Sequence, residues 1–180
     1  MNDRERLERL AELDQAGRTA FIGPLWAAVP KTEYPVARAS AFEIITKYDL
    51  ADQAALKSMQ PAEGWFRISK YGPKAAMAAF MVVQHAVNDP DLMRSTLAKM
   101  QPSIAQGEVR GPDYALLYDR VALEFDHKQQ KYGSQISCKD GHPQPRDLED
   151  PAKVNERRKS IGFKDTEEEY LQNFQNMRCG

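Results

Sequence analysis

Residues 111–135 combine the side chains best suited to polar chemistry in this chain. They read GPDYALLYDRVALEFDHKQQKYGSQ, which is a helix start, an Asp119-Arg120 pair and a compact polar turn. Far from this stretch in sequence, His85 is the leading acid–base candidate, because an imidazole gains and loses a proton near neutral pH. We expect the turn to supply half of a polar pocket and His85 to supply the other half.

Two interpretations of His85 remain open. It follows Gln84 near the end of the most apolar segment of the chain, KAAMAAFMVVQHAVN. As a site residue, His85 would act as general acid or base, with Gln84 beside it as a binding residue. As a core residue, it would only be satisfied by one or two hydrogen bonds.

Asp119 and Arg120 are the charged pair of the 113–126 segment. Adjacent helical residues leave the axis about 100° apart, so both cannot lie on one buried stripe. Arg120 falls near the apolar side of this segment, and a buried guanidinium must be paired. Its partner is either a carboxylate of the chain, such as Asp119, or the carboxylate or phosphate of a ligand. We count both residues as catalytic candidates.

The turn at 130–135 concentrates amides, a phenol and a hydroxyl around one glycine. Gln130, Tyr132, Ser134 and Gln135 surround Gly133, which permits a sharp bend. Amide side chains both donate and accept hydrogen bonds, which suits recognition of a neutral polar group. These four residues either orient a ligand or tie the following loop to the helices.

Arg157 and Arg158 form the last candidate binding pair: we expect one of the two to return toward the core and the other to be solvated, where it can contact a phosphate. Cofactor and metal motifs do not occur: there is no GxGxxG, GxxxxGK[ST], GxSxG or HExxH. The three histidines, His85, His127 and His142, lack the spacing of a local metal site. We therefore predict no cofactor and no metal.

The hydrophobic pattern predicts an all-α fold in a single compact domain over residues 1–180. Residues 1–60 form its N-terminal helical part, which precedes residues 60–175. Apolar residues recur at helical spacing, and this predicts helices over 2–20, 36–48, 49–59, 74–88, 91–100, 113–126 and 154–160, with a last helix from 165. Gly and Pro predict a loop over 21–35 and a long irregular loop near 127–151.

Composition narrows the function classes. The chain has 180 residues, 42% hydrophobic and 28% charged, with a net charge of −1. Nucleic-acid binding is disfavoured because it requires a basic surface, and no apolar run reaches the roughly 18 residues of a membrane helix. The first residues lack the apolar core of a signal peptide, which predicts a cytoplasmic protein. We expect Cys138 and Cys179 to be ordinary thiols, with one disulfide as the alternative.

The order of four short pieces resembles an uncharacterised bacterial family, a domain of unknown function. The pieces are Trp65 with Tyr71-Gly72, Gln84-His85, Asp119-Arg120 leading into the 130–135 turn, and Arg157-Arg158 with Ile161-Gly162. The resemblance covers roughly residues 60–175. Ser134 stands where the family usually has Thr, and Phe163 where it usually has Leu. The resemblance implies which residues matter and not what they do.

Two functions fit these observations. The first is a metal-independent enzyme, a hydrolase or group-transfer enzyme, acting on a small polar or anionic substrate. His85 would be its acid or base, and Arg120 would hold the anionic group. The second is a non-catalytic ligand-binding or protein-interaction module whose polar cluster is structural. An open pocket at His85 favours the enzyme, and a sealed, fully hydrogen-bonded cluster favours the module.

Overall fold

The computed structural model divides the chain into two compact units, Met1–Leu92 and Met93–Gly180. It describes residues 1–175, 177 and 179, with the side chains of residues 20–27 and 31 left out of the description. The prediction of one domain over residues 1–180 stays a prediction. No described helix has both the length and the apolar character needed to cross a membrane.

The first unit is helical throughout its regular part. Its helices are α1 (Asp3–Ala28), α2 (Tyr34–Ser58), α3 (Ile68–Tyr71) and α4 (Pro73–Gln84). Helix α1 packs on both α2 and α4. The loop expected over 21–35 is wrong, because α1 continues to Ala28 and a 3-10 turn occupies Lys31–Glu33. The two helices expected over 36–48 and 49–59 are one helix, since no residue between them breaks the hydrogen-bond ladder.

The buried stripe of α1 contains a carboxylate. Leu7 and Leu10 are buried as predicted, but Leu13 is 39% exposed and Asp14 is only 2% exposed. Spacing of three and then four residues places Leu7, Leu10 and Asp14 on one face of the helix. A buried charge must be paired, so this position already indicates that Asp14 has a partner inside the unit.

Helix α4 lies at the centre of the first unit, as its sequence predicts. Eight of its residues are buried, and alanines at several of these positions permit close approach of its neighbours. Pro73 opens the helix, where a missing N–H has no consequence. The helix is shorter than predicted: it ends at Gln84, and His85 is its C-terminal cap. His85 therefore leaves the helix end and does not lie on the interior stripe.

The second unit combines helices with a hairpin. The boundary falls within α5 (Pro90–Ile104), and α6 (Gly111–Glu124), β1 (Ile136–Lys139), β2 (His142–Pro145), α7 (Val154–Ser160) and α8 (Glu167–Gln172) follow. The fold is mostly helical, and the all-α prediction is wrong for the hairpin. Helix α8 begins with a capping box, in which Thr166 and Glu169 satisfy each other's backbone N–H.

The hairpin replaces much of the irregular loop expected near 127–151. Strands β1 and β2 are antiparallel, with Ser137 opposite Gln144 and Cys138 opposite Pro143. Gly141 supplies the positive φ of its tight turn. Cys138 is joined by a disulfide to Cys179, so the expectation of ordinary thiols is wrong and its alternative is correct. A separation of 41 residues hid this pairing from the sequence.

Helix α6 begins at a close backbone contact. A Cβ added to Gly111 would lie 1.9 Å from the carbonyl oxygen of Ile161, so only glycine fits there. The next polar residue, Asp113, lies inside the first turn of the helix and is not its N-cap. It is buried, and burial raises the pKa of Asp113 to about 6. Gly111 thereby fixes where α6 starts against the segment after α7.

Candidate functional site

The cap position of His85 directs its ring onto α1. The Nδ1 atom lies 2.8 Å and 3.0 Å from the two carboxylate oxygens of Asp14. A carboxylate only accepts hydrogen bonds, so Nδ1 carries the proton and Nε2 presents a lone pair. The His85 side chain is 21% exposed, and Nε2 has no hydrogen-bond partner among the described residues. The pair is the arrangement of a histidine base oriented by a buried carboxylate.

Arg18 holds the carboxylate of this pair in place. Its Nη1 donates to Asp14 Oδ1 at 2.9 Å, one helical turn away. The same guanidinium forms a two-pronged ion pair with Asp49 of α2, with both N–O distances 2.9 Å. Such a fork fixes position as well as charge. Asp14 is therefore positioned by one partner on its own helix, and that partner is positioned by α2.

Asp52 lies one turn beyond Asp49 on the buried face of α2. It is 4% exposed, and its Oδ2 atom has no hydrogen-bond partner among the described residues. Burial, together with the charges of Asp14 and Asp49, raises the pKa of Asp52 to about 6, and Arg18 acts against this rise. Below that pH, Asp52 is a neutral acid.

Four members of this network were not predicted from the sequence: Asp14, Arg18, Asp49 and Asp52. The signal that could have found them is the continuation of the apolar stripe through carboxylates. On α2, for example, Ala41, Ile45, Asp49, Asp52 and Leu56 are buried at spacings of three or four residues.

In the second unit, the Asp119 carboxylate organises the 130–135 turn. It is fully buried and accepts the backbone N–H groups of Lys131 at 2.8 Å, Tyr132 at 3.1 Å and Ser134 at 3.0 Å. Burial raises the pKa of Asp119, and these N–H groups act against that rise. Asp119 therefore holds backbone, in the way that an anion occupies a nest of N–H groups.

The glutamines of the turn bond to one another and to backbone. Gln130 is fully buried and donates to the carbonyls of Gln135, at 2.9 Å, and Arg146. Its own Oε1 accepts the N–H of Gln135. Arg120 Nε donates to Gln135 Oε1 at 3.0 Å, and Gln135 Nε2 donates to Ser134 Oγ at 3.1 Å. The amides thus close the turn onto α6.

The two arginines of α7 also bond to this region. Arg157 donates to the carbonyls of Lys131, at 2.6 Å, and of Glu149. Arg158, with no exposed surface, donates to the Tyr132 carbonyl at 2.9 Å and to the Asp165 carboxylate at 2.9 Å. Its guanidinium also stacks 4.0 Å from the ring centre of Phe163. The expectation that one of the two returns to the core is confirmed for Arg158.

Tyr132 points its ring toward another tyrosine. The ring centres of Tyr132 and Tyr118 lie 6.0 Å apart in an edge-to-face arrangement. Burial raises the pKa of Tyr132 to about 12, so its phenol is a hydrogen-bond donor and not a base at neutral pH. The Lys131 ammonium lies 5.1 Å from the ring centre of Tyr118, and its interaction with the Tyr118 phenol raises the pKa of this ammonium.

The predicted site residues fall in both units. Gln84, buried, and His85 belong to the first unit, and the remaining candidates belong to the second. The prediction that they share one pocket stays a prediction, and so do their catalytic and binding roles. Among the described residues, no three His, Cys, Asp or Glu side chains are placed to hold a metal ion.

Comparison with known proteins identifies the family of this chain. A family described as being of unknown function, DUF6624, matches residues 4–178, and the chain belongs to it. The resemblance to an uncharacterised family is thus confirmed, over a longer stretch than residues 60–175. The match includes Asp14 and Arg18 as well as His85. Neither the curated proteins nor the solved structures contain a significant match to the chain.

Proposed function

We propose that this member of the family is a metal-independent enzyme, a hydrolase or group-transfer enzyme, that uses His85 as its acid or base. The observation that carries the proposal is the hydrogen bond from His85 Nδ1 to buried Asp14, which leaves Nε2 without a partner among the described residues on a side chain that is 21% exposed. A histidine oriented in this way takes a proton at Nε2, and the carboxylate stabilises the imidazolium that forms.

The other members of the network have positioning roles in this proposal. Arg18 holds Asp14 in place, because it pairs with Asp14 and Asp49 together. A small polar or anionic substrate remains the proposed class. Arg120 as the holder of its anionic group, and Gln130, Tyr132 and Gln135 as orienting residues, rest on the sequence hypothesis alone.

The test replaces the imidazole without removing its bulk. We expect His85→Gln to change the free energy of unfolding by less than about 1–2 kcal/mol. Retention of small molecules from a metabolite mixture, or turnover in a screen of ester and phosphoester substrates, should be lost. His142→Gln is the matched control, because His142 is exposed on the hairpin and should leave both readouts unchanged.

Asp14→Asn separates orientation from packing. An amide at this position can donate to Nδ1 and so favour the wrong tautomer of His85. Turnover should fall strongly while the chain stays folded. If His85→Gln instead unfolds the chain by several kcal/mol, or leaves ligand retention intact, His85 is structural and the enzyme proposal is wrong.

A non-catalytic ligand-binding or protein-interaction module is the second candidate function. It is favoured by the second unit, where the side chains of Asp119, Gln130 and Arg158 bond to backbone atoms of the chain itself. On this alternative, ligand retention survives His85→Gln and no substrate is turned over by the wild type.

A cytoplasmic location also remains a proposal, supported by the N-terminal sequence. The disulfide between Cys138 and Cys179 argues against it, because reducing compartments keep most protein thiols unpaired. Trapping free thiols in intact cells decides between them. Two free thiols support a cytoplasmic protein, and a protected pair supports an oxidising compartment. The near-balanced charge supports a small-molecule partner over nucleic acid or a membrane.

A further inference from the structure

The second unit contains an open cavity that the acid–base proposal does not use. Its volume is about 500 Å³, within the range of small-molecule sites. It lies where the chain leaves α6 and meets one face of the hairpin. Six of the lining residues have polar or charged groups that matter here: His127, Lys128, Ser137, Lys139, Gln144 and Arg146.

Strand geometry explains why the hairpin presents donors to this cavity. Alternate residues of a strand share a face, so Ser137 and Lys139 point to one side of β1 and Cys138 to the other. Gln144 is opposite Ser137 in the register and therefore joins the same face. The disulfide of Cys138 anchors the opposite face. The hairpin thus offers a hydroxyl, an ammonium and an amide together.

The charges around the cavity are not balanced. Arg146 is paired with Glu124, and Asp147 accepts a hydrogen bond from the Gln129 amide. Lys128 and Lys139 have no ion-pair partner among the described residues, and both line the cavity. Two ammonium groups without a carboxylate partner favour the arrival of an anion.

His127 adds a backbone observation. It has φ +52°, in the left-handed region, three residues after the end of α6. The next residue, Lys128, donates its N–H to the Ala122 carbonyl at 2.8 Å, which fixes this turn. Glycine adopts such a conformation most readily, and non-glycine residues held there cluster at binding sites. At this position the chain has an imidazole that lines the cavity.

We propose that this cavity binds the phosphate group of a small phosphorylated molecule. A phosphate has three acceptor oxygens and a charge near −2, which matches two ammoniums, an imidazole and the neutral donors of the hairpin. A long polyanion fits less well, because the chain has a net charge of −1 and Glu124 and Asp147 flank the site. The proposal is independent of His85.

The test is a calorimetric titration of the full chain with pyrophosphate. Lys128→Met/Lys139→Met should weaken pyrophosphate binding by about tenfold or more, since each lost ammonium removes a charge-assisted hydrogen bond. Lys159→Met/Lys164→Met is the matched control, because it removes the same charge from exposed residues of the same unit outside the cavity. The control should bind pyrophosphate like the wild type.

A second variant tests the histidine without disturbing the backbone. His127→Asn retains a residue that tolerates positive φ, and it should weaken pyrophosphate binding while His142→Asn does not. Three results overturn the proposal: no saturable binding by the wild type, an equal loss in both lysine doubles, or tighter binding of a short single-stranded oligonucleotide than of pyrophosphate. Inorganic phosphate as a further probe should bind at the same residues.

Discussion

Two buried aspartates, one in each unit, do opposite things. Asp14 accepts hydrogen bonds from the side chains of His85 and Arg18, and both of those groups can change their partners or protonation. Asp119 accepts hydrogen bonds from the backbone N–H groups of the 130–135 turn, which cannot titrate. The first carboxylate positions two side chains, and the second positions the backbone of the turn.

The comparison shows that the buried polar groups of the two units differ in what they bond to. The DR and QKYGSQ pieces are as distinctive in sequence as the QH piece. Yet Asp119, Gln130 and Arg158 bond mainly within the turn and its neighbours, whereas His85 keeps one ring nitrogen without a described partner. Hydrogen bonding to backbone is the property that separates the two groups.

The largest loss of stability is expected when Asp119, which accepts the backbone N–H groups of the turn, is replaced. Asp119→Ala leaves the N–H groups of Lys131, Tyr132 and Ser134 buried without an acceptor. We expect a loss of about 3–5 kcal/mol in the free energy of unfolding, measured by urea titration. Asp14→Ala should cost less, about 1–3 kcal/mol, because Arg18 retains Asp49 as a partner.

The same titration tests whether residues 1–180 form one domain. Trp65 is buried in the first unit, so in a Trp26→Phe background the fluorescence follows that unit while circular dichroism follows all helices. If the chain is one cooperative domain, Asp119→Ala shifts both transitions equally. A shift in circular dichroism alone contradicts the single-domain prediction. A loss below about 1 kcal/mol contradicts the role assigned to Asp119.

The disulfide gives the next largest effect. It closes a separation of 41 residues in the second unit, and the chain-entropy argument assigns such a loop about 2–4 kcal/mol. Cys138→Ser/Cys179→Ser should lower the free energy of unfolding by that amount. Reductant should lower the free energy of unfolding of the wild type by a similar amount and leave that of the double variant unchanged. If His85 serves chemistry independently of this unit, its imidazole resonances stay the same in the variant.

How much of this fold could be predicted depended on whether the pattern was local. Helix α7 was predicted over 154–160 and is observed at Val154–Ser160. The hairpin was missed because its strands have four residues each, and Pro143 and Pro145 argue against a strand. Proline is tolerated in this two-stranded sheet because each strand has an unpaired edge.

Only part of the candidate site could be predicted from the sequence, for a related reason. His85 could be singled out by residue type, but its partner Asp14 is 71 residues away and differs in no local way from other acids of α1. Only its place on the continuation of the Leu7–Leu10 stripe marks Asp14 as buried. The role of Asp119 was equally hidden, since nothing local shows that a carboxylate will accept backbone N–H groups twelve residues later.

The smallest expected effect is a change in how the stability of the chain depends on pH. The pKa of Asp52 in the folded chain is about 6, above the roughly 3.9 of an unfolded Asp. A raised carboxyl pKa means that ionisation opposes folding, so this group lowers stability as pH rises from about 4 to about 6. Asp52→Asn should therefore stabilise the chain at pH 7, by about 1–3 kcal/mol, and by much less near pH 4. Urea titrations of variant and wild type at both pH values measure this difference.

Asp113 is the matched control in the second unit, because its pKa is also about 6 but burial alone raises it. Asp113→Asn should give the same dependence on pH as Asp52→Asn. The two should separate in an Asp49→Asn background, since Asp49 raises the pKa of Asp52 and not that of Asp113. There the gain from Asp52→Asn shrinks while the gain from Asp113→Asn persists. Equal gains in that background would mean that Asp52 responds to burial alone and is not coupled to the charges that hold His85.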